Sequence, residues 1–315
     1  MRGLPKVGIV GAGQVGATAA LLLVVRDLAD VTLIDVVEGL PQGKALDMMQ
    51  SRAVLCFEPR VEGSNSYEAL ANSDVVVITA GLPRKPGMSR ADLLSANAGI
   101  VSEVVAGISS SAPEAVIVVV TNPLDVMAYL AWRKSGYEPR RVLGMGGVLD
   151  SARFSYYVSE RLGIEPVNVE ALVVGSHGEK MLPLVSSTQA DGMPLVQLTG
   201  DDVAAGLVER TRSGGAEVVS LLKTGSAYYA PAASIFRTVK AILTDEKSVL
   251  PTSTLLSGEY GLEDVFLGVP ARIGRQGVEE IVKMELDDEE LAALRESAGE
   301  VADGISQLRK MGALS

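Results

Sequence analysis

Residues 6–35 of the 315-residue chain read KVGIVGAGQVGATAALLLVVRDLADVTLID, and this stretch decides the fold. A short apolar run comes first, followed by the glycine pattern Gly11-x-Gly13-x-x-Gly16, a helix-length apolar segment, a second apolar run and Asp35. A strand before the glycines and a helix after them are the context in which this pattern has a mechanism. The stretch therefore predicts a β-α-β unit that binds a dinucleotide.

Each glycine of the loop has a separate predicted task. Gly11 permits the tight turn, Gly13 lets the backbone approach a pyrophosphate, and Gly16 lets helix and strand pack closely. The following helix presents unpaired N–H groups and the positive end of its dipole to the same phosphates. The other loop residues that we assign to cofactor binding are Ala12, Gln14 and Val15.

Asp35 follows Gly16 by 19 positions and ends the second predicted strand. A carboxylate there can accept hydrogen bonds from both hydroxyls of the adenosine ribose, and it would repel a 2′-phosphate. The sequence therefore predicts NAD rather than NADP. The alternative is an ordinary strand–helix turn followed by an acid that caps a strand end.

The first half of the chain alternates strands and helices, which predicts an α/β fold with a Rossmann-type parallel sheet and helices on both faces. The predicted strands cover residues 6–10, 31–36, 74–79, 115–121 and 141–145. The predicted helices cover residues 15–27, 43–57, 91–110 and 123–134. We expect residues 1–147 to form the NAD-binding domain.

The second half is less regular and predicts an α+β substrate and catalytic domain over residues 148–315, after the break at Gly146 and Gly147. Predicted strands cover residues 169–174, 194–198 and 271–274. Predicted helices cover residues 151–162, 202–222 and 231–243, and an amphipathic tail covers 287–311.

Composition bounds the function. The chain is 47% hydrophobic and 21% charged, as in globular proteins, and its net charge of −11 argues against nucleic acid as a partner. The longest apolar run near the start, residues 17–25, is roughly half a membrane span, so we expect no membrane partner and a cytoplasmic location.

Cys56 is the one cysteine, which leaves no internal disulfide; we expect it in a helix core. No metal site is predicted.

His177 is the single histidine, and it lies between glycines directly after the apolar run 171–174. It is the side chain whose reference pKa lies nearest to neutrality, so it is the candidate for proton transfer by elimination. The alternative is a structural histidine in a turn.

Asp150 and Arg153 are three positions apart at the start of a predicted helix. They can simply pair with each other. The functional alternative separates them: Asp150 bonds one ring nitrogen of His177 and raises its pKa, and Arg153 holds a substrate carboxylate through two parallel hydrogen bonds.

Residues 81–90, GLPRKPGMSR, form a basic segment after the predicted strand 74–79. Its glycines allow hinge angles and its prolines stiffen the part between them, which suits a lid over an anion. The alternative is a solvated basic loop.

These motifs stand in the order and spacing of the lactate/malate dehydrogenase family, which the chain resembles over essentially its whole length, on the malate side of the lactate-dehydrogenase-like branch. The resemblance implies that His177 donates and accepts the proton and that Asp150 orients it. Arg153 is then expected to bind the carboxylate next to the reacting carbon. Arg90 is expected to close with the flap and polarise the carbonyl.

The resemblance also assigns the segment Thr121-Asn122-Pro123. Asn122 is expected to position both substrate and cofactor, with a cis bond to Pro123, and Thr121 and Asn97 are expected to contact the cofactor. The family further implies a role in the tricarboxylic acid cycle and a homo-oligomer, either a dimer or a dimer of dimers. Helices 43–57 and 151–162 would form the interface with Met48, Met49, Phe154 and Tyr157.

Position 84 decides between substrates, because lactate enzymes of the family tend to carry glutamine where this chain has Arg84. A second carboxylate, as in malate or oxaloacetate, needs a charge partner in a closed pocket. Met88 and the segment 225–231 resemble the malate enzymes as well. Glu179-Lys180 departs from the family, which often has Asp-Thr or Asp-Ser there. Two alternatives stay open: a lactate or broader 2-hydroxyacid dehydrogenase, and a non-catalytic NAD-binding sensor.

Overall fold

The computed structural model describes residues 3–83 and 88–314. In its first half, strands and helices alternate as the apolar runs predict. The strands are β1 (Lys6–Val10), β2 (Asp30–Ile34), β3 (Val61–Ser64), β4 (Val75–Ile78), β5 (Val116–Val119) and β6 (Val142–Gly144). The helices are α1 (Gln14–Val25), α2 (Leu40–Leu55), α3 (Arg90–Ser111) and α4 (Leu124–Ser135).

The second half contains five helices and eight strands within the described residues. The helices are α5 (Gly147–Leu162), α6 (Leu195–Thr199), α7 (Asp201–Leu222), α8 (Tyr229–Leu243) and α9 (Asp288–Lys310). The strands are β7 (Val169–Glu170), β8 (Val173–Val174), β9 (Leu182–Pro183), β10 (Gln189–Ala190), β11 (Met193–Pro194), β12 (Ser248–Ser257), β13 (Glu263–Gly274) and β14 (Gly277–Ile281). Short 3-10 turns lie at Tyr67–Leu70, Pro139–Arg141, Pro166–Asn168 and Glu259–Gly261.

One sheet of nine strands runs through the described part of the chain, in the order β14-β13-β12-β6-β5-β4-β1-β2-β3. The six strands from β3 to β6 are parallel and have the order of dinucleotide-binding folds. β12 joins β6 antiparallel at Ser253 and Gly144, and β13 and β14 continue the antiparallel edge. The two halves of the chain therefore share a sheet.

Alternation within the strands divides the core between the two faces of this sheet. On β4, Val76 and Ile78 face a cluster that includes α3, α4 and α9, whereas Val75 and Val77 face one that includes α1 and α8. Because both faces are covered, the parallel strands are apolar throughout. A third cluster around Phe154 lies in the second half, between α5, α7 and the small strands.

Helix α3 is long and apolar enough to cross a membrane by length and composition, and it is the one such helix among the described residues. Its buried side chains pack instead against the sheet and against α4 and α9. Core helices of globular proteins pass the same test, so the packing accounts for its apolar sequence.

Three sequence predictions are wrong. Residues 194–198 do not form a strand, because β11 ends at Pro194 and α6 follows; so short an apolar run does not distinguish the two structures. Cys56 is exposed, since it follows the last residue of α2 in a left-handed conformation. Phe154 and Tyr157 are buried within this chain, so their side chains are not available as an interface surface.

Sequence analysis also missed β3 and most of the antiparallel edge. β12 and β13 are 10 and 12 residues long and include the predicted strand 271–274. Pro251 and Pro270 lie inside them and face each other in the register. Proline is unusual within a strand pattern, which is why this part of the sequence does not predict a long hairpin.

Candidate active site

The glycine loop between β1 and α1 has the shape that a bound dinucleotide requires. A Cβ at Gly11, whose φ is +108°, would lie 2.6 Å from Ala80 N, and one at Gly16 would lie 2.0 Å from the Gly11 carbonyl oxygen. A Cβ at Gly13 would meet no atom within 4 Å. Packing therefore demands Gly11 and Gly16, whereas the space at Gly13 is open to a ligand. The residues present fit NAD at this loop.

Asp35 is tied to the same loop. Its Oδ2 accepts the Ala12 N–H at 2.8 Å, and its Oδ1 accepts the Val37 N–H at 3.0 Å. Helix α1 begins after Gly13 with no side chain capping it, so its first N–H groups face the loop. The carboxylate and the helix terminus are thus held at neighbouring strand ends, where open α/β sheets bind their ligands.

The loops after β4 and β5 meet at the same edge. Thr121 is buried and donates to the Ala80 carbonyl at 2.6 Å. Asn97 on α3 accepts the Leu82 N–H at 2.8 Å and donates to the Asn122 carbonyl at 2.6 Å. The Asn122–Pro123 bond is cis, and the Asn122 side chain is exposed.

Asn97 is therefore engaged in holding both loops. Its Nδ2 also donates to the Leu82 carbonyl, at 3.2 Å, so both amide hydrogens are in use. Its predicted contact with the cofactor, and that of Thr121, stay predictions. The Asn122 side chain, which follows β5 at the ligand edge, is free of these bonds.

His177 and Asp150 are brought together from positions 27 residues apart. His177 Nδ1 lies 2.7 Å from Asp150 Oδ2, and the Asp150 side chain is 2% exposed in the first turn of α5. A carboxylate only accepts hydrogen bonds, so Nδ1 carries the hydrogen and Nε2 is left for a substrate. The His177 side chain keeps 16% of its surface exposed.

Arg153 also faces Asp150. Its Nη1 lies 3.5 Å from Asp150 Oδ1, an ion pair rather than a well-formed hydrogen bond. The Asp150–Arg153 pair and the Asp150–His177 contact are both present, since one carboxylate contacts the imidazole and the guanidinium together; binding of a substrate carboxylate by Arg153 stays a prediction. Gly214 and Gly215 on α7 leave room beside the Arg153 side chain.

The charges around His177 set its protonation. Burial of the imidazole opposes its positive charge, but the charge and hydrogen bond of Asp150 and the charge of Asp125 outweigh burial and raise the pKa of His177 above its usual value. Arg153 acts in the opposite direction. The net shift makes the neutral imidazole a stronger base.

Two contacts of His177 have no counterpart in the sequence predictions. Its backbone N–H donates to Asp125 Oδ2 at 2.8 Å, and Asp125 is buried on α4. A Cβ at Gly146 would lie 2.9 Å from the His177 Cβ, so this glycine lets the histidine approach the start of α5. The signal that could have indicated Asp125 is a charged residue in an apolar helix, two positions after Pro123; Gly146 gives no signal beyond its break in the pattern.

Of the two flap arginines, only Arg90 is among the described residues. Arg84, with Lys85, lies outside the described residues. Arg90 is the first residue of α3, is 63% exposed, and pairs with Glu179 at 2.9 Å and Glu300 at 3.0 Å. Its predicted contact with the substrate carbonyl stays a prediction.

The described part of the chain contains no candidate metal site. No group of three or more His, Cys, Asp or Glu side chains lies together there as metal ligands would. The ionisable residues of the site are instead the histidine, two carboxylates and a guanidinium already placed, which handle protons and anions.

A dinucleotide loop bonded to an acidic residue at the end of the next strand, combined with an imidazole held by a buried carboxylate, defines a nicotinamide-dependent dehydrogenase as a class. Comparison with known proteins agrees. The NAD-binding domain of lactate/malate dehydrogenases matches residues 5–144, and their α/β C-terminal domain matches residues 147–311. The chain belongs to the lactate/malate dehydrogenase family.

Individual relatives are similar over nearly their whole length. A malate dehydrogenase of Thermomicrobium roseum is 51% identical over 306 residues, which cover 97% of this chain and 99% of that protein. The crystal structure of Cryptosporidium parvum malate dehydrogenase is 45% identical, with a TM-score of 0.95 over 98% of this chain and all of that one. A lactate dehydrogenase of the same organism, complexed with lactic acid and NAD, is 38% identical, with a TM-score of 0.94 over 98% and 99% of the two chains.

Proposed function

We propose that this chain catalyses the reversible oxidation of (S)-malate to oxaloacetate with NAD. The observation that carries the proposal is the contact of His177 Nδ1 with the buried Asp150 at 2.7 Å, beside Arg153. It supplies one group that moves a proton and one that binds a carboxylate. Malate dehydrogenases at 45–51% identity support the choice of substrate.

Binding follows from the charges of the site. NAD fits the loop 11–16, with Asp35 on the adenosine ribose, and it supplies the acceptor for a hydride when bound. Arg153 binds the carboxylate next to the reacting carbon, and Arg84 neutralises the second carboxylate. Asn122 orients the substrate through its exposed amide.

Proton transfer is the task of His177. In malate oxidation its neutral Nε2 takes the hydroxyl proton, and Asp150 stabilises the imidazolium that forms. In the reverse direction the protonated imidazole returns this proton to the carbonyl oxygen. Arg90 assists by polarising the carbonyl, which requires its guanidinium to leave Glu179 and Glu300.

Steady-state kinetics test this proposal. The chain should oxidise NADH with oxaloacetate far faster than with pyruvate, and His177→Asn should abolish turnover while NADH still binds. Arg84→Gln should move the kcat/KM ratio toward pyruvate, because each charge-assisted hydrogen bond to the second carboxylate contributes about 1.5–3 kcal/mol. A preference for pyruvate in the unmodified chain would instead make it a lactate dehydrogenase.

The assembly and setting complete the proposal: a cytoplasmic homo-oligomer, a dimer or dimer of dimers, that acts in the tricarboxylic acid cycle. Exposed apolar side chains support the oligomer, and they occur on α2 and at the end of α7. They are Leu46, Val54, Leu55, Val219, Leu221 and Leu222. Sedimentation equilibrium measures the state, and a monomer at micromolar concentration would contradict it.

A further inference from the structure

The loop that carries His177 is bonded through three successive backbone amides, each to a different element. Gly175 N–H donates to the Gly268 carbonyl on β13 at 2.8 Å. Ser176 N–H donates to Ser297 Oγ on α9 at 2.7 Å, and His177 N–H donates to Asp125 on α4 at 2.8 Å. These three bonds fix the path of the backbone at residues 175–177. They therefore also fix the point from which the His177 side chain extends.

Ser297 has no surface exposed, and its hydroxyl works in two directions. The hydroxyl oxygen accepts a hydrogen bond from the Ser176 N–H. The hydroxyl also donates to Ser176 Oγ, with 2.9 Å between the two oxygens. The contact is also close: Gly175 has a φ of +86°, and a Cβ there would lie 2.8 Å from Ser297 Oγ. Helix α9 therefore holds Ser176, the residue directly before the histidine, and packs closely against Gly175.

Asp125 has a second buried partner. Asp125 Oδ1 and Ser253 Oγ on β12 are both buried without a well-formed hydrogen bond among the described residues. Burial raises the pKa of Asp125, and the Ser253 hydroxyl, acting as a donor to it, lowers that pKa in part. The Ser253 hydroxyl can donate to this carboxylate, and Oδ2 is the oxygen that accepts the His177 N–H.

We propose that Asp125 and Ser297 are positioning residues for the acid–base histidine. They act through the backbone of residues 176 and 177 and set the distance between Nδ1 and Asp150. The inference rests on the proposed role of His177. Asp150, Arg153 and Asp125 are the charged groups that act on the imidazole, and Asp125 is the one that acts through a backbone bond.

Three variants test the proposal. Asp125→Ala and Ser297→Ala each remove the acceptor of a buried N–H, and we expect kcat to fall about tenfold to hundredfold while KM for NADH stays within about twofold. Asp125→Asn keeps an acceptor for the His177 N–H, and its amide can donate to Ser253 Oγ. It should recover most of the kcat that Asp125→Ala loses.

The single histidine gives a readout that is independent of turnover. The imidazole C–H resonances in the NMR spectrum belong to His177, so its pKa can be titrated in the free protein. Ser297→Ala should lower this pKa toward the reference value, because the bond to Asp150 loosens, and Asp125→Ala should lower it further, because the charge of Asp125 is lost as well. Thr238→Val is the matched control; it removes a buried hydroxyl that bonds within its own helix.

Two outcomes overturn the inference. One is an unchanged kcat and an unchanged His177 pKa in folded Asp125→Ala and Ser297→Ala. The other is an Asp125→Asn protein as impaired as Asp125→Ala, since charge rather than the backbone bond would then matter. If the unmodified chain fails to turn over malate, the proposed function fails, but the titration still measures the positioning.

Discussion

The bond between His177 and Asp150 allows a quantitative prediction. Asp150→Asn replaces a buried carboxylate, whose Oδ2 lies 2.7 Å from Nδ1, with a neutral group of the same shape. The carbonyl of the new side chain can still accept the Nδ1 hydrogen, so the geometry survives. What is lost is the negative charge that favours the imidazolium.

The size of the effect follows from the strength of such bonds. A hydrogen bond to a charged group contributes about 1.5–3 kcal/mol, and one pKa unit corresponds to about 1.4 kcal/mol. The pKa of His177 should therefore fall, because loss of the Asp150 charge makes the imidazolium less stable by about 1.5–3 kcal/mol. Arg153 loses its partner at the same time, and its positive charge acts on the imidazole in the same direction.

The assay is kcat/KM for malate as a function of pH, together with NMR titration of the one histidine. Malate oxidation needs neutral His177, so the rate falls as pH drops below the pKa of His177, which is raised in the native protein. In Asp150→Asn this acid limb should move to lower pH, and the plateau should fall about tenfold to hundredfold.

Asp264→Asn is the control for this substitution. It makes the same chemical change at a carboxylate that contacts Tyr129 and Arg309, and asparagine tolerates the positive φ of 53° there. It should leave the acid limb in place. An acid limb in Asp150→Asn that stays where it is in the unmodified protein would refute the argument, whatever the plateau.

Three further predictions concern the cofactor loop, the flap arginine and stability. Gly13→Val should weaken NADH binding at least about tenfold in fluorescence titration while leaving Tm unchanged, whereas Gly16→Ala should lower Tm, because its Cβ would lie 2.0 Å from a carbonyl oxygen. Glu179→Gln should lower KM for oxaloacetate by no more than about fivefold, because an exposed pair with Arg90 contributes at most about 1 kcal/mol; a higher KM would show that the pair assists binding. Folding raises the pKa of His177, so protonated His177 stabilises the folded protein. This stabilisation is fully present below about pH 6.5 and is lost as pH rises through the pKa of His177 in the folded protein. Urea unfolding should accordingly show the unmodified protein losing more free energy of unfolding than His177→Asn between about pH 6 and about pH 9, and equal losses would contradict this.

Much of the first half was predictable because its signals are local. Apolar runs, a glycine loop and Asp35 follow one another along the chain; in the structure the apolar runs form parallel strands and Asp35 is bonded to the glycine loop. Family resemblance then paired His177 with Asp150. The hairpin of β12 and β13 escaped prediction, because Pro251 and Pro270 interrupt its pattern.

The sequence by itself determined the parallel sheet, the loop for a dinucleotide and the residues able to move a proton or bind a carboxylate. These depend on spacings of a few residues, which strand and helix geometry convert directly into position. Only the tertiary structure decided what surrounds the histidine. Asp125 is 52 positions from His177 and Ser297 is 121 positions from Ser176. Such contacts arise when α4 and α9 pack on the same sheet, and no local pattern records that packing.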